Sequence, residues 1–242
     1  MKGVIASIAP TASVIDITHY ITPFELLEGG FTVLQAYTAF AKKTIHVAIV
    51  DPGVGSARRP ILVEAAGQYF IGPDNGLFTL LYHEQPKHKV RAITNTKYFL
   101  KDVSATFHGR DVFAPCAAHL AAGKLASTFG PLIHDYTRAT GIFATRTGKR
   151  AWTGQVLKTD HFGNLITNLH IREFEEIVSR PFELLVGSVV VNKFAVNYQE
   201  CGFGEPFAII GSSGFIEVSV SQANAAKQLG CGAGAPVELT LG

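Results

Sequence analysis

The chain has little of what a secreted scaffold, a membrane protein or a nucleic-acid-binding protein requires. Its three cysteines, Cys116, Cys201 and Cys231, are odd in number and far apart, so they predict neither a disulfide framework nor a zinc site. Charged residues make up 17% of the 242 residues and the net charge is +2, with no basic run that favours nucleic acid or an anionic membrane. No apolar run approaches the roughly 18 residues of a membrane-spanning helix. We therefore expect a cytoplasmic protein with no nucleic-acid or membrane partner.

Several familiar functional motifs are also missing. Gly53-Val54-Gly55 lacks the third glycine of a dinucleotide-binding fingerprint, and there is no phosphate-binding P-loop. The segment Gly211-Ser212-Ser213-Gly214 lacks the glycine spacing of a nucleophile elbow, so by pattern alone it is a tight turn between two strands. No cluster of histidines or cysteines indicates a metal site, and we expect none.

What the sequence does have is a hydrophobic fraction of 47%, which supports a large core. The first half alternates apolar strands with helices, a pattern that indicates an α/β layer with a largely parallel sheet. The predicted helices cover residues 24–40, where Thr22 is the candidate N-cap and Pro23 the first helical residue, and 111–122, which ends before Gly123. The predicted strands cover residues 14–17, 44–50, 61–65 and 69–72.

The second half changes character and shows short strands with period-two alternation, separated by Gly, Asn and Ser. These strands cover residues 153–158, 165–169, 182–191, 208–210, 215–220 and 237–241 and predict an all-β domain, a barrel or a sandwich. The expected organisation is an α/β catalytic domain at 1–135, a linker at 136–150 and a β-barrel domain at 151–242.

Candidate chemistry is concentrated at the ends of elements in the first half. The run from Asp51 to Arg58 follows an apolar strand, and ligands of open α/β sheets bind at the carboxyl ends of strands. Thr106-Phe107-His108-Gly109-Arg110-Asp111 precedes an alanine-rich helix. Asp51, Arg58 and His108 would supply an acid, a cation and a base. The alternative is that Asp51-Pro52-Gly53 is only a turn, since these residue types are typical of turns.

In the second half, Asp160-His161-Phe162-Gly163-Asn164 lies between two predicted strands. A simple hairpin turn explains these residue types, because Asp and Asn tolerate turn geometry. A ligand-facing loop is the other interpretation, since a carboxylate accepts hydrogen bonds from an ammonium group and an amide pairs with a base edge. The sequence pattern leaves both open.

Taken together, the motifs resemble those of the S-adenosyl-L-methionine (SAM) hydroxide adenosyltransferases, or SAM hydrolases, relatives of the fluorinating and chlorinating SAM enzymes. The resemblance covers nearly the whole chain. It rests on six ordered segments: Asp16-Ile17-Thr18-His19 with Thr22-Pro23, Asp51 to Gly55 with Arg58, Pro73-Asp74-Asn75-Gly76, Thr106 to Asp111, Asp160 to Asn164, and Gly211 to Gly214.

The resemblance implies an α/β domain followed by a β-barrel, and a homotrimer that holds SAM between neighbouring subunits. The implied reaction is SAM plus water giving adenosine and L-methionine, without a cofactor. Asp51, Arg58 and His108 match the residues of the family that activate water. Asp51 and His108 would orient the water and accept its proton, and Arg58 would stabilise the developing hydroxide.

The resemblance also assigns substrate contacts. Asp160 matches the carboxylate that binds the methionine amino group, and Asn164 the residue that reads the adenine edge. Ser212 matches a hydroxyl on the methionine carboxylate, and Ser213 stands where halogenating relatives have arginine. The remaining matches are an aromatic residue near SAM and positions along the ribose or the nucleophile site: Phe24, Thr106, Phe107 and Gly109.

Two alternatives stay open, and one departure from the family is notable. A halide-using enzyme is one alternative, but such relatives have tyrosine at positions 51 and 108 and serine at 109, and the charge of Asp51 would repel a halide. The other is a SAM- or adenosine-binding trimer without activity.

The family's first strand, with an aspartate that binds the ribose, has no counterpart here, and we expect this form to be less active than one extended upstream.

Overall fold

The computed structural model describes residues 1–242 and divides the chain into two compact units, Met1–Ala139 and Thr140–Gly242. No helix is both long enough and apolar enough to span a membrane. The first unit is an α/β structure and the second is built from antiparallel strands, so the predicted fold class is confirmed.

The first unit contains four α-helices and five strands. The helices are α1 (Lys2–Ile8), α2 (Leu26–Tyr37), α3 (Thr79–Glu84) and α4 (Ala114–Ala121). The strands are β1 (Ile45–Val47), β2 (Pro60–Ala65), β3 (Gln68–Pro73), β4 (Lys89–Ala92) and β5 (Leu132–Ile133). A π-helical turn, Gly109–Phe113, leads directly into α4.

The sheet has the order β1-β3-β2-β4-β5 and is mixed rather than largely parallel. Only β1 and β3 pair in parallel, while β2 pairs antiparallel with both β3 and β4, and β4 with β5. The expectation of a parallel sheet was wrong because β2 and β3 are joined by the tight turn at Ala66 and Gly67, both with positive φ, and a two-residue turn permits only antiparallel pairing.

Two further predictions in this unit were wrong. Residues 14–17 form no strand, and all four are exposed, among them the apolar Val14, Ile15 and Ile17. The helix predicted at 24–40 begins only at Leu26, with Glu25 as its N-cap, and Thr22 does not cap it. Phe24 has a φ of 73°, a left-handed conformation that a helix cannot continue through.

Both faces of this sheet are covered by apolar side chains. On one face, Val63 and Phe70 pack with residues of α2 and α3 such as Val33 and Leu81. On the other face, Leu62 and Ile71 pack with Val112 and Phe113 of the π-helical turn and with Cys116 of α4. Successive residues of a strand point to opposite faces, so β2 and β3 contribute to both clusters and read as continuous apolar runs.

The sheet leaves no room for a side chain at Gly72. A Cβ there would overlap the carbonyl oxygen of Ala48 and lie 3.0 Å from the ring of Phe78. We expect Gly72→Ala to lower the free energy of unfolding by about 3 kcal/mol, as overpacking in a rigid core does. Gly3→Ala is the control, because nothing lies within 4 Å of its Cβ position. Equal urea midpoints for the two variants would contradict the prediction.

The second unit contains eight strands and one short helix. The strands are β6 (Thr145–Arg146), β7 (Ala151–Thr159), β8 (Leu165–His170), β9 (Phe182–Val186), β10 (Val189–Val191), β11 (Pro206–Ile210), β12 (Phe215–Val220) and β13 (Pro236–Leu241). The helix is α5 (Ala225–Leu229).

These strands form a nearly closed antiparallel barrel. Its order is β10-β9-β13-β7-β8-β12-β11, with β6 paired to β7, and the end strands β10 and β11 lie close together. An isolated bridge between Phe194 and Ala208 joins the segment after β10 to β11. The interior is filled by apolar residues of every major strand, among them Val156, Leu169, Leu184 and Val218. The strand predicted at 182–191 is two strands, because Gly187 has a φ of 61° and turns the chain.

Candidate active site

The loop that carries Asp51 is held in place from two sides. It leaves β1 and forms two consecutive turns, in which Val54 N–H donates to the carbonyl of Asp51 and Ser56 N–H donates to that of Gly53. The residue before the loop, Val50, is fixed because its carbonyl accepts a hydrogen bond of 2.9 Å from the amide of Asn75. The Asp51-Pro52-Gly53 segment is therefore a turn, and it also positions a carboxylate.

Gly55 brings this loop against the segment that ends in His108. Its φ is 78°, and a Cβ on it would lie 2.6 Å from the carbonyl oxygen of Ala105. Any other residue would both strain the backbone and push the two segments apart. The close approach of the two backbones places Arg58 and His108 within hydrogen-bonding distance, although 50 positions separate them in the chain.

Arg58 joins the three residues that the sequence singled out. Its Nε donates to Asp51 Oδ1 at 3.0 Å, and its Nη2 donates both to Asp51 Oδ2 and, at 3.0 Å, to His108 Nδ1. The guanidinium also lies 5.2 Å from the ring centre of Phe113. The side chains of Asp51 and Arg58 are only 6% and 8% exposed, so water screens this pair weakly.

This geometry determines which ring nitrogen of His108 carries the proton. A guanidinium can only donate, so Nδ1 of His108 must be the acceptor and the ring proton is on Nε2. Asp51 accepts two hydrogen bonds from Arg58 and keeps further lone pairs free. The two N–H groups on Nη1 of Arg58 make no hydrogen bond to the protein and remain available to an oxygen atom held at the cluster.

Four other predicted residues lie in the same unit. Thr106 and Phe107 are exposed and come just before His108, and Phe107 lies against the guanidinium of Arg110 at 5.0 Å. Gly109 follows His108, and a Cβ there would be 3.3 Å from both Ile49 and Met1. Phe24 is 73% exposed, in the segment before α2.

The Pro73-Asp74-Asn75-Gly76 motif anchors the backbone next to the Asp51 loop. Besides the bond from Asn75 to Val50, Asp74 accepts two hydrogen bonds from Arg59 and one from the backbone of Thr137. The side chain of Asp74 is 3% exposed. Sequence reasoning gave this motif no role, although an Asn that follows a buried strand is a common backbone anchor.

In the second unit, Asp160 and Asn164 form the turn between β7 and β8. Asp160 Oδ1 accepts from the backbone N–H groups of Phe162 and Asn164, and Oδ2 accepts from the side-chain amide of Asn164 at 2.8 Å. Asn164 is buried, and its amide nitrogen is also 3.5 Å from the hydroxyl of Tyr198. The hairpin interpretation therefore describes the loop correctly. The turn also orients the Asp160 carboxylate, which keeps one acceptor position open.

Ser212 and Ser213 occupy the turn between β11 and β12, as the sequence predicted. Gly211 N–H donates to Phe215 and Gly214 N–H donates to Gly211, which closes the turn. Ser212 is exposed and Ser213 is half-buried. The predicted site residues thus fall into two groups, one in each unit.

One residue that the sequence analysis missed lies between these two turns. Glu217 on β12 is buried, and a Cβ on Gly211 would overlap its carboxyl group. Burial and, secondarily, the negative charge of Asp160 raise the pKa of Glu217 to about 7. Partial burial raises the pKa of Tyr198 against a hydrogen bond with Ser219 that lowers it, and the carboxylates of Glu217 and Asp160 raise it further. No group of three or more His, Cys, Asp or Glu side chains is arranged to hold a metal ion.

Comparison with solved structures identifies the fold. An uncharacterised conserved protein from Thermotoga maritima superposes with a TM-score of 0.90 at 31% identity, covering 99% of this chain and 93% of that one. Fold and site thus define a class of proteins in which an α/β unit with a buried acid–cation–base cluster is followed by a β-barrel.

The family follows from the sequence matches. Residues 1–130 match the SAM hydroxide adenosyltransferase N-terminal domain and residues 154–238 match its C-terminal domain, so the chain belongs to the SAM hydroxide adenosyltransferase family. It is 36% identical to proteins named (R)-S-adenosyl-L-methionine hydrolase from Thermus thermophilus and from Salinispora tropica. Each alignment covers 99% of this chain, with 92% and 91% of the respective relative.

Proposed function

We propose that this protein hydrolyses SAM by attack of water on C5′ of the ribose, giving adenosine and L-methionine. The observation that carries the proposal is the guanidinium of Arg58, which holds Asp51 and His108 in one buried cluster. Membership of the SAM hydroxide adenosyltransferase family and the similarity to two SAM hydrolases support it.

In the proposed reaction, each side chain of the cluster has its own step. A water molecule beside Arg58 gives a proton to Asp51 while its oxygen forms a bond to C5′, and the C5′–S bond breaks with its electron pair going to sulfur. Methionine therefore leaves as a neutral thioether. The free N–H groups of Arg58 stabilise the oxygen as it becomes hydroxide-like, and the Nε2–H of His108 orients it.

The same residues disfavour halide as the nucleophile. A carboxylate at position 51 repels an anion but accepts a proton from water. At position 109 a serine hydroxyl would have to enter a space already bounded by Ile49 and Met1 at 3.3 Å from its Cβ. No halide-binding donor is thus available from that residue.

The substrate-binding roles divide between the two units. In the barrel unit, Asp160 binds the methionine amino group, Asn164 the adenine edge, and Ser212 and Ser213 the methionine carboxylate. In the α/β unit, Thr106 and Phe107 form the ribose side, Gly109 lies at the nucleophile position, and Phe24 lies near the bound SAM. What supports these roles is the order of the motifs and, for Asp160, the open acceptor position on its carboxylate.

We place the reaction in a homotrimer in the cytoplasm, with SAM held between neighbouring subunits and no metal or cofactor. Both units expose large apolar side chains of the kind that subunit interfaces bury: Ile15, Tyr20, Phe24, Phe162, Val196 and Phe203. The three cysteines are unpaired, which suits a reducing compartment. Light scattering after size-exclusion chromatography measures the subunit number.

The experiment that tests the function is incubation of the purified protein with SAM in halide-free buffer made with ¹⁸O-water. We expect adenosine and methionine in equal amounts, with the label in the 5′-hydroxyl of adenosine only. Addition of excess chloride should yield no 5′-chloro-5′-deoxyadenosine. Absence of both products, or label in methionine, would refute attack of water at C5′.

A further inference from the structure

We propose that Glu217 is a second carboxylate for the α-ammonium group of the substrate, acting together with Asp160. This inference rests on the proposed function, because it concerns the methionine end of SAM. It adds to the Asp160 assignment a residue that no sequence motif of the chain includes.

The hydrogen-bond inventory of Asp160 shows why a second carboxylate is needed. An ionised carboxylate has about four acceptor positions, and an ammonium group presents three N–H donors. Three positions on Asp160 are already taken, by the backbone of Phe162 and by the backbone and side chain of Asn164. One open position cannot satisfy an ammonium group that is removed from water, so other acceptors must lie beside it.

Glu217 offers those acceptors. It is only 8% exposed, and its carboxyl group has no hydrogen bond or ion pair within the protein. A buried charged group without a partner is strongly unfavourable unless a ligand completes it. A buried carboxyl group without a partner, beside the Asp160 carboxylate, indicates a binding position.

Three sets of neighbouring residues define the position of the Glu217 carboxyl group. It packs against Gly211, at the turn that carries Ser212 and Ser213. It also lies close enough to Asp160 for the two carboxylates to repel each other. Its neighbours across the sheet, Ile166 and Ile209, are apolar and leave it no competing partner.

The titration of Glu217 predicts a measurable release of protons when the ligand binds. Its pKa of about 7 in the free protein means that it titrates near neutral pH. An ammonium ligand favours the ionised form and expels this proton. The other titratable or charged groups near it are Asp160 on the β7–β8 turn, Tyr198 beside Asn164, Lys158 in the same cross-strand row and His170 below Gly214.

Binding measurements test the proposal independently of turnover. The probes are S-adenosyl-L-homocysteine, which has the ammonium group but no sulfonium, and 5′-methylthioadenosine, which has neither. In Glu217→Gln we expect binding of the first to weaken about 10- to 100-fold and binding of the second to remain unchanged. Glu238→Gln, on the exposed face of β13, is the matched control. Equal weakening of both probes, or of neither, would overturn the proposal.

Calorimetry in buffers of different ionisation enthalpy adds a second readout. For the unaltered protein we expect S-adenosyl-L-homocysteine to release protons near pH 7 and to bind more tightly as the pH rises from 6 to 8. Glu217→Gln should abolish both effects. Affinity that falls as the pH rises would mean that Glu217 acts as a protonated donor to the substrate carboxylate, which contradicts the proposal.

A further variant moves the carboxylate without removing it. Gly211→Ala places a methyl group where the Glu217 carboxyl lies, and the flexible side chain must shift. We expect the same selective loss of S-adenosyl-L-homocysteine binding. If the unaltered protein binds this probe with proton release but does not hydrolyse SAM, the hydrolase proposal fails and the Glu217 proposal stands. If the unaltered protein hydrolyses SAM but Glu217→Gln binds S-adenosyl-L-homocysteine with unchanged affinity, the Glu217 proposal fails and the hydrolase proposal stands.

The unpaired state of Glu217 predicts a gain in stability when it is neutralised. The pKa of a glutamate is raised from 4.5 to about 7 by folding here, so the folded state keeps its proton between these values. The cost of ionisation is absent below pH 4.5 and complete above pH 7. Glu217→Gln should therefore melt at a higher temperature than the unaltered protein at pH 8 and at about the same temperature at pH 4.5. An equal difference at both pH values would contradict this.

Discussion

Replacement of Asp51 by Asn is expected to lower kcat for SAM hydrolysis about 1,000-fold, while the Michaelis constant changes little. An amide cannot accept the proton of the attacking water, and general-base catalysis contributes about 10²- to 10⁴-fold to rates. The substrate contacts that we propose come from other residues. The measurement is a steady-state assay of adenosine release for the variant and for Asp102→Asn, the same change on an exposed loop.

Stability must be measured in parallel, because Asn also removes the charge opposite the buried Arg58. Loss of one partner of a buried ion pair costs about 3 to 5 kcal/mol. Asn keeps one oxygen for Arg58, so we expect the lower end of this range and a folded protein at 25 °C. A folded Asp51→Asn variant with the kcat of the unaltered protein would remove Asp51 from proton transfer.

Replacement of Asp111 by Asn is expected to reduce the free energy of unfolding by about 3 kcal/mol. The side chain of Asp111 is fully buried and accepts from Arg110 at 2.6 and 3.1 Å and from the backbone of Ser104 at 2.9 Å. An amide has one acceptor oxygen in place of two, and its N–H groups would face these donors. Because the residue lies three positions after His108, turnover should fall as well.

The contribution of Asp111 to the free energy of unfolding should disappear at acid pH. The hydrogen bonds from Arg110 and, against them, burial leave the pKa of Asp111 lowered from 3.8, so its ionised form stabilises the folded state above that pH and the stabilisation is lost as the pH falls below it. Urea unfolding of the unaltered protein and of Asp111→Asn should differ at pH 7 and converge toward pH 3. The Asp102→Asn variant should match the unaltered protein at both. A constant difference would mean that Asp111 acts only through packing.

The barrel strands could be predicted well from the sequence, and the α/β sheet less so. In β7, β8, β12 and β13, alternating apolar residues fill a single interior and Gly or Asn residues mark the turns, so pattern and structure agree. In the first unit, both faces of the sheet are apolar, and the pattern holds no information on strand direction. The exposed apolar residues at 14–17 imitate a strand, although they pack on no core.

For the site, local motifs carried the prediction of Asp51, Arg58 and His108, and the structure brings these three together. Their mutual geometry depends on Gly55 meeting Ala105, a contact between distant segments that no spacing rule contains. Glu217 escaped notice for a different reason. A glutamate that alternates with Ile216 and Val218 on a strand is typical of a solvent-facing position, and only the structure shows that it is buried.

The single guanidinium that serves both Asp51 and His108 also limits how this protein could evolve. Because Arg58 divides its donors between the two partners, a change at any one of the three positions alters what the other two experience. Effects of substitutions within such a unit do not multiply, and most of the loss comes with the first one. A lineage that exchanges water for another nucleophile would pass through nearly inactive intermediates unless it replaced these side chains together.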